Sequence, residues 1–260
     1  MPQRRSHVAP SAVQSELAAA LAALREGIDA PTEFSPEALA EAESAVAPNP
    51  DLDLRDVPFV TLDPAGSRDL DQAFHLARSA AGFQVRYAIA DVPAFVTPGG
   101  AVDAEARLRG QTLYLADGNV PLHPRVLSED HASLLADVDR PALVWTFELD
   151  EQGAVTTFRL ERALIRSRAQ LDYVTAQDAV DRGDEGPLAL LPVVGRLRIA
   201  QEEARGGASL NLPDEEVVQR DDGTYDIERR HPLAVEEWNA QLSLMTGMAA
   251  AHLMIGAKVG

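Results

Sequence analysis

Three aspartates lie close together in the segment 61–72, and their residue type and spacing indicate metal-ion chemistry. Asp63, Asp69 and Asp71 have one basic residue among them, Arg68. Carboxylates held a few ångströms apart repel one another, and a divalent cation is the usual means of offsetting that repulsion. A solvated acidic turn is the alternative interpretation of the same pattern.

The residues before these acids predict how the acids are positioned. An apolar, β-branched run from Val57 to Leu62 predicts a β-strand. Pro64 and Gly66 interrupt that run, so the acids are expected on a turn at the C-terminal end of the strand. An EF-hand loop is excluded because it needs acids at alternate positions, which here hold Ala65 and Ser67.

Several ordered motifs resemble those of one enzyme family. Thr61–Pro64 (TLDP) followed by Arg68–Asp71 (RDLD) resembles the signature of the ribonuclease II (RNB) family of processive exoribonucleases. The resemblance runs from about Pro58 to about Ala176 and continues more weakly towards the C-terminus. The further segments that resemble the family's consecutive motifs are Ala88–Val92, Phe95–Gly100, Asp103–Arg107, Gly110–Tyr114, Val120–Pro124 and Leu127–Ser128.

The resemblance implies both a fold and a reaction. The implied fold is α+β, with a mixed, largely antiparallel sheet and packed helices. The implied reaction is metal-assisted hydrolysis of single-stranded RNA in the 3′ to 5′ direction, which releases nucleoside 5′-monophosphates. Asp63, Asp69 and Asp71 would be the catalytic ligands of Mg²⁺, or of Mn²⁺. The alternatives are a catalytically impaired RNB scaffold that binds RNA or a partner, and an acidic globular protein without nuclease activity.

Gln72 departs from the family pattern, which has a fourth acid at this position. A glutamine can bind a metal through its carbonyl oxygen but brings no charge, so Gln72 is expected to be a weak fourth metal ligand. In that case Gln72→Asp would tighten Mg²⁺ binding. The alternative is that Gln72 points away from the site, or that its amide holds a neighbouring carboxylate, and in either case an added acid would weaken the site by repulsion.

The sequence also offers candidate RNA contacts. In the resemblance, Tyr114 matches an aromatic residue that stacks on a base near the RNA 3′ end, whereas the general expectation for a tyrosine is a place in the core. The family usually has a second aromatic residue that completes a stacking clamp on the base. This chain has Leu210 near that position, so the second half of the clamp departs from the family pattern. The densest basic segment predicts a strand with Arg162, Arg166 and Arg168 on one face, where they bind either phosphates or neighbouring acids.

Composition constrains the possible partners. Lys and Arg number 23 against 41 Asp and Glu, so the net charge is −18. This balance opposes RNA binding, which normally depends on basic contacts to phosphates. All of the basic residues except Lys258 are arginines, which bind phosphate in a bidentate manner, so their distribution matters more than the sum. The chain has no cysteine, which fits a reducing compartment.

We expect two domains, a helical N-terminal appendage at residues 1–50 and an RNB-like catalytic domain at residues 51–260. Apolar residues at helical spacing after Ser11 predict one helix, and Ser35 followed by Pro36 predicts the start of a second. No segment is expected to span a membrane, so we expect no membrane partner and a cytoplasmic location.

The resemblance implies that the catalytic domain is incomplete at its C-terminus in this chain. A missing C-terminal half, or OB-fold RNA-binding domains, would then belong to the parent protein.

The other patterns predict two hairpins and several helices. Asp91 follows the second strand of the first hairpin, where it is either another site acid or a turn-former. The predicted hairpins are 73–77 with 83–89 and 143–149 with 154–160, and the predicted helices are 102–110, 171–182, 187–205 and 235–255.

Overall fold

The computed structural model describes residues 6–8, 20, 23, 27, 31, 33–115, 118–209, 213–220 and 225–259. The helix predicted after Ser11 lies mostly outside the described residues. The strands are β1 Ser6–Val8, β2 Leu52–Asp53, β3 Phe59–Asp63, β4 Gln72–Ser79, β5 Gly82–Ala90, β6 Leu113–Leu115, β7 Gly118–Val120, β8 Asp139–Asp150, β9 Val155–Asp172, β10 Asp214–Gln219 and β11 Tyr225–Arg230. The α-helices are α1 Pro36–Ser44, α2 Ala101–Arg109, α3 Tyr173–Arg182, α4 Leu191–Ala204 and α5 Ala234–Ala257.

The chain forms two compact units that alternate along the sequence. The smaller unit takes its described residues from 1–44, 97–125 and 209–232, and the larger unit from 45–96, 126–208 and 233–260. The predicted domain boundary at residue 50 divides the chain once, whereas each of these units is built from three segments. The predicted boundary stays a prediction.

The larger unit contains a six-stranded sheet in the order β2-β9-β3-β4-β5-β8. Strand β9 is parallel to β2 and β3, and the other pairs are antiparallel, which confirms the predicted α+β class with a mixed, largely antiparallel sheet. Strand β8 also pairs with β9, so the ladder from β9 through β3, β4 and β5 to β8 returns to its starting strand. Both predicted hairpins are present, as β4–β5 and β8–β9.

Alternation along the strands buries both faces of this sheet. Large side chains such as Phe74, Tyr87 and Phe147 form one core cluster with residues of the helices α3, α4 and α5. Smaller residues of the same strands, including Ala73 and Ala88, form a second cluster on the other side. The predicted alternation in β5 therefore corresponds to a strand that is enclosed from both directions.

Helix α5 is the central helix of the larger unit, as its apolar pattern predicts. It buries Val235, Trp238, Leu242 and Met245 in the first core cluster. By length and composition alone it is also apolar enough to cross a membrane, which corrects the expectation that no segment has this character. A single helix of this kind is weak evidence for a membrane span, because core helices pass the same test.

The smaller unit contains the sheet β1-β10-β11, the hairpin β6–β7 and the helices α1 and α2. Ser35 caps α1 as predicted, because its hydroxyl accepts the backbone N–H of Ala38 at 3.3 Å. The carboxylate of Glu41 on α1 accepts the backbone N–H of Ala101 at 2.6 Å, at the first residue of α2. Helix α2 ends as predicted at Gly110, where a φ of 75° suits glycine.

Candidate active site

The predicted acidic turn, called the acidic loop below, runs from Asp63 to Asp71 and joins β3 to β4 in the larger unit. Strand β3 ends at Asp63, and the backbone N–H of Ser67 donates to the carbonyl of Pro64 at 3.1 Å to form a tight turn. Gly66 takes a φ of 81°, which a residue with a side chain adopts only rarely. The chain then returns to the sheet at Gln72, so the three aspartates flank one strand end.

Leu70 anchors the second half of this loop between Asp69 and Asp71. Its side chain is fully buried in the second core cluster. The hydroxyl of Ser133 accepts the N–H of Leu70 at 3.1 Å and donates to the carbonyl of Arg68 at 2.6 Å. The carbonyl of Leu70 accepts a further backbone N–H at 2.8 Å. The backbone that carries the two flanking aspartates is therefore fixed by core packing and hydrogen bonds.

Burial and neighbouring negative charge raise the pKa of two of these aspartates, Asp63 and Asp71. Burial, followed by the charges of Asp71 and Asp69, raises the pKa of Asp63 to about 7. The carboxyl of Asp71 is open to solvent on one side, yet burial also raises its pKa, and the charge of Asp69 adds to the effect. Asp63 Oδ2 is buried without a hydrogen-bond partner. The site thus carries more negative charge than the surrounding protein neutralises.

A hard divalent cation fits this donor set. The orphaned Oδ2 of Asp63 and the carboxylate of Asp71 are oxygen donors of the type that Mg²⁺ binds, and Mg²⁺ usually takes one or two carboxylates with water and phosphate oxygens. Within the described residues, no three His, Cys, Asp or Glu side chains form a ready-made metal cluster. The convergence of Asp63, Asp69 and Asp71 on one ion stays a prediction.

Gln72 has a hydrogen-bond partner in the core of the larger unit. The hydroxyl of Tyr87 donates to the carbonyl oxygen Oε1 of Gln72. Gln72 also acts to lower the pKa of the Asp71 carboxyl, against the larger effect of burial. The oxygen predicted to bind a metal therefore accepts a hydrogen bond from Tyr87, and metal binding by Gln72 stays a prediction.

Tyr87 is a site residue that the sequence prediction assigned only to the core. The β4–β5 register pairs Gln72 with Ile89 and Phe74 with Tyr87, so Gln72 and Tyr87 are diagonal neighbours on one face. That register follows from the two-residue turn between Ser79 and Gly82, whereas the predicted hairpin had the longer connection 78–82.

Two clefts of about 390 and 360 Å³ in the larger unit are lined by other residues. The first is lined by residues that include Arg198 and Arg205, and the second by Asn49–Leu52 with Glu161 and Arg162. Asp63, Asp69 and Asp71 line neither cleft, so the acidic site lies outside both.

The RNB domain family matches residues 52–255, a range that includes the whole acidic loop. The chain belongs to the RNB family. It is 34% identical over 194 residues to a probable exosome complex exonuclease RRP44 of Caenorhabditis elegans, covering 73% of this chain and 20% of that protein. It is 39% identical over 121 residues to ribonuclease R of Acidithiobacillus ferrooxidans, covering 46% of this chain and 28% of that protein.

A solved RNase R has the same fold. The structure of Mycoplasma genitalium RNase R in complex with ribose methylated single-stranded RNA aligns with a TM-score of 0.85 at 21% identity, covering 98% of this chain and 48% of that chain. The RNB chain described here thus spans less than half the length of each of these relatives.

The three candidate arginines of this RNB chain lie on the outward face of β9, since buried residues alternate with them. Arg162 donates to Asp91 at 2.7 Å, and Arg166 donates to Asp139 at 2.6 Å. Arg168 donates to the backbone carbonyl of Arg55. Acidic partners therefore engage Arg162 and Arg166, as in the alternative given for them, and phosphate binding by these residues stays a prediction.

Asp91 occupies the N-cap position of the short helix Val92–Ala94, and its backbone carbonyl accepts the N–H of Ala94 at 3.0 Å. Its side chain makes no capping hydrogen bond and is instead paired with Arg162. Tyr114 lies on β6 in the smaller unit, where 68% of its surface is exposed. Leu210 lies outside the described residues. The predicted stacking of Tyr114 on a base stays a prediction.

Proposed function

We propose that this RNB chain carries the active site of a metal-dependent exoribonuclease that degrades single-stranded RNA from the 3′ end and releases nucleoside 5′-monophosphates. The observation that carries the proposal is the carboxylate of Asp63 inside the RNB match, whose Oδ2 is buried without a hydrogen-bond partner and whose pKa is raised to about 7. RNB exoribonucleases are generally dependent on divalent metals. Two relatives are named as an exonuclease and a ribonuclease, and a related RNase R structure holds single-stranded RNA.

In this proposal each residue has a defined task. Asp63, Asp69 and Asp71 hold Mg²⁺ or Mn²⁺ together with phosphate oxygens of the RNA end. Such ions supply stabilisation of the attacking and leaving oxygens during phosphodiester hydrolysis. Tyr114 stacks on a base near the 3′ end, and Arg168 provides a positive charge on the outward face of β9. We further propose a cytoplasmic location and a longer parent protein with OB-fold RNA-binding domains.

The decisive experiment compares hydrolysis with RNA binding. A 5′-labelled single-stranded RNA is incubated with Mg²⁺ and the unmutated chain, with Asp71→Asn and with Asp56→Asn, an exposed aspartate outside the acidic loop. We expect stepwise shortening from the 3′ end by the unmutated protein and by Asp56→Asn, and no shortening by Asp71→Asn. Binding measured in EDTA should be nearly equal for all three, because base and phosphate contacts lie outside the metal ligands.

Two results would redirect the assignment. Parallel loss of binding and cleavage in Asp71→Asn would make Asp71 a structural residue. RNA binding without Mg²⁺- or Mn²⁺-dependent cleavage, both in this chain and in any longer polypeptide that contains it, would instead support an RNA-binding protein on an inactive RNB scaffold.

A further inference from the structure

We propose that the cleft of about 390 Å³, which is lined by Arg198 and Arg205, binds a small phosphate monoester with an apolar body, such as a nucleoside 5′-monophosphate. The inference does not depend on the proposed nuclease activity, because the cleft lies away from the acidic loop. That loop enters β4 at Gln72, whereas the β8–β9 turn follows Asp150, which pairs with Gly82 at the other end of the β4–β5 hairpin.

This cleft, called the arginine cleft below, is basic in a chain that is acidic overall. It lies between α4, α5 and the start of β9, and its volume is in the range of small-molecule sites. Two arginines and the amide of Gln201 supply its polar groups. In the part of the chain that the structure describes, no aspartate or glutamate lines it. With a net charge of −18 elsewhere to draw on, the two arginines are nevertheless placed where carboxylates are absent from the lining.

Arg198 is a buried arginine with incomplete hydrogen bonding. Only 4% of its surface is exposed, although it lines the cleft, and its Nη1 donates to the carbonyl of Gly153 at 2.8 Å. Its Nε is buried without a hydrogen-bond partner. A buried N–H group without an acceptor is costly and is rare in native structures. An oxyanion in the cleft is a suitable acceptor for this guanidinium, because the planar fork of an arginine matches the geometry of phosphate oxygens.

The arginine cleft is built against a fixed turn. Beside the bond from Arg198 to Gly153, Nε2 of Gln201 donates to the carbonyl of Gln152 at 3.1 Å. Gly153 packs so closely on α4 that an added Cβ would lie 2.6 Å from the Cβ of Leu197. The turn and the helix are therefore held together by packing and two hydrogen bonds, and a ligand would meet a preformed site.

The charge of the cleft favours a phosphate monoester over a carboxylate. The acids between the two arginines in the sequence are directed elsewhere, since Glu203 is exposed and Oε2 of the buried Glu202 accepts Nε2 of Gln241 at 2.6 Å. Burial and the charge of Arg205 lower the pKa of Arg198. A phosphate monoester brings a charge of about −1.5 to −2 at pH 7, which matches two arginines better than the single charge of a carboxylate does.

The remaining lining suits an aromatic body attached to the phosphate. A methionine thioether makes favourable contacts with aromatic rings, and short aliphatic side chains leave room for a flat group. A nucleoside 5′-monophosphate combines such a group with a phosphate monoester. The apolar lining residues are Ala154, Val155, Ala204 and Met248.

The test measures binding of adenosine 5′-monophosphate (AMP) to the whole chain by isothermal titration calorimetry in EDTA. We expect AMP to bind more tightly than adenosine or inorganic phosphate, because each of these lacks one half of the ligand. Arg205→Gln should raise the AMP dissociation constant by about tenfold or more, since hydrogen bonds to a charged group are lost. Arg196→Gln is the matched control, because Arg196 is exposed on the same helix, outside the cleft lining, and the change in charge is the same.

Two further variants keep the charge of the cleft. Ala204→Trp should weaken AMP binding by filling the cleft while both arginines remain, and Ala204 is exposed at the end of α4, so the fold should tolerate the change. Arg198→Lys keeps the positive charge without the planar fork and should also weaken binding. Thermal unfolding checks that each variant is folded, which matters most for Arg198 because it also binds Gly153.

The outcomes that would overturn the inference are distinct from those that bear on RNA hydrolysis. No AMP binding by the unmutated chain, or equal AMP affinities of the unmutated chain, Arg205→Gln and Ala204→Trp, would show that the arginine cleft is not a binding site for this ligand. An equal loss in Arg196→Gln would reduce the effect to general electrostatics. Inorganic phosphate or adenosine binding as tightly as AMP would overturn the assignment to a nucleotide. Each of these results would leave the proposed nuclease site at the acidic loop intact.

Discussion

Nε of Arg162 lies 2.7 Å from Oδ2 of Asp91, and the two residues differ sharply in burial. The Asp91 side chain is 1% exposed, whereas that of Arg162 is 59% exposed. Strands β5 and β9 do not pair directly, and both are neighbours of β8, so this ion pair links two parts of the sheet across an intervening strand. A buried carboxylate without its cation is costly, so Arg162 has a structural task beyond any contact with RNA.

Arg162→Ala should therefore lower the stability of the chain. We expect a lower urea midpoint of unfolding, because the substitution leaves the buried charge of Asp91 without its partner. Arg159→Ala is the matched control on the same strand, since Arg159 pairs with Glu161 and both side chains are largely exposed. The control should leave the midpoint nearly unchanged.

An unchanged midpoint in Arg162→Ala together with weaker RNA binding would favour phosphate contact as the main role of this arginine. Adding Asp91→Asn to Arg162→Ala should recover part of the lost stability, because it removes the unpaired charge.

Asp63 should make the metal-free protein less stable as the pH rises. Its pKa is raised from 3.8 to about 7 in the fold, so between these values the native chain retains a proton that the unfolded chain has released. Stability therefore falls from about pH 4 to about pH 7, by at most about 1.4 kcal/mol per pH unit from this group, and is level above that window. Urea unfolding in EDTA at pH 5 and pH 7.5 measures the effect.

Asp63→Asn is the reference for this pH dependence, because an asparagine does not titrate. The stability of the unmutated protein relative to Asp63→Asn should be lower at pH 7.5 than at pH 5, and Mg²⁺ should reduce the deficit at pH 7.5. An equal pH dependence in the two proteins would show that Asp63 ionises normally in the fold.

Tyr114→Ala should weaken binding at the RNA 3′ end without affecting folding. Loss of one stacked base contact is worth about 1–3 kcal/mol, which corresponds to a rise in the RNA dissociation constant of about 5–150-fold. Leu108→Ala is a suitable control, since Leu108 is 71% exposed and lies in the same unit. Fluorescence anisotropy with a single-stranded RNA in EDTA measures both variants. Equal RNA affinities of Tyr114→Ala and the unmutated protein would show that the exposed ring of Tyr114 does not stack on a base.

Local patterns in the sequence were sufficient for the elements that depend on neighbouring residues. Alternation of apolar residues predicted the hairpin β4–β5, and a glycine with positive φ marks the end of α2 at Gly110 as expected. The turn after Asp63 followed from Pro64 and Gly66, because both disfavour continuation of a strand.

Features that depend on distant parts of the chain were not predictable in this way. Strand β9 continues to Asp172 because residues 155–166 pair with β8 while residues 167–172 pair with β3, and no local pattern contains that information. The pairing of Arg162 with Asp91 required knowledge of strand order. The contact of Gln72 with Tyr87 required the exact hairpin register.

The burial of Leu70 determines how the acidic loop responds to its own charge. Because Leu70 is held in the core, Ser133 binds the backbone on both sides of Asp69, and the carbonyl of Leu70 accepts the N–H of Leu134, Asp69 and Asp71 are not free to separate by an outward movement of the loop. In the proposed metal site, a cation would therefore meet carboxylates whose backbone is already spaced by the hydrophobic core, and the loop would need little reorganisation to receive it.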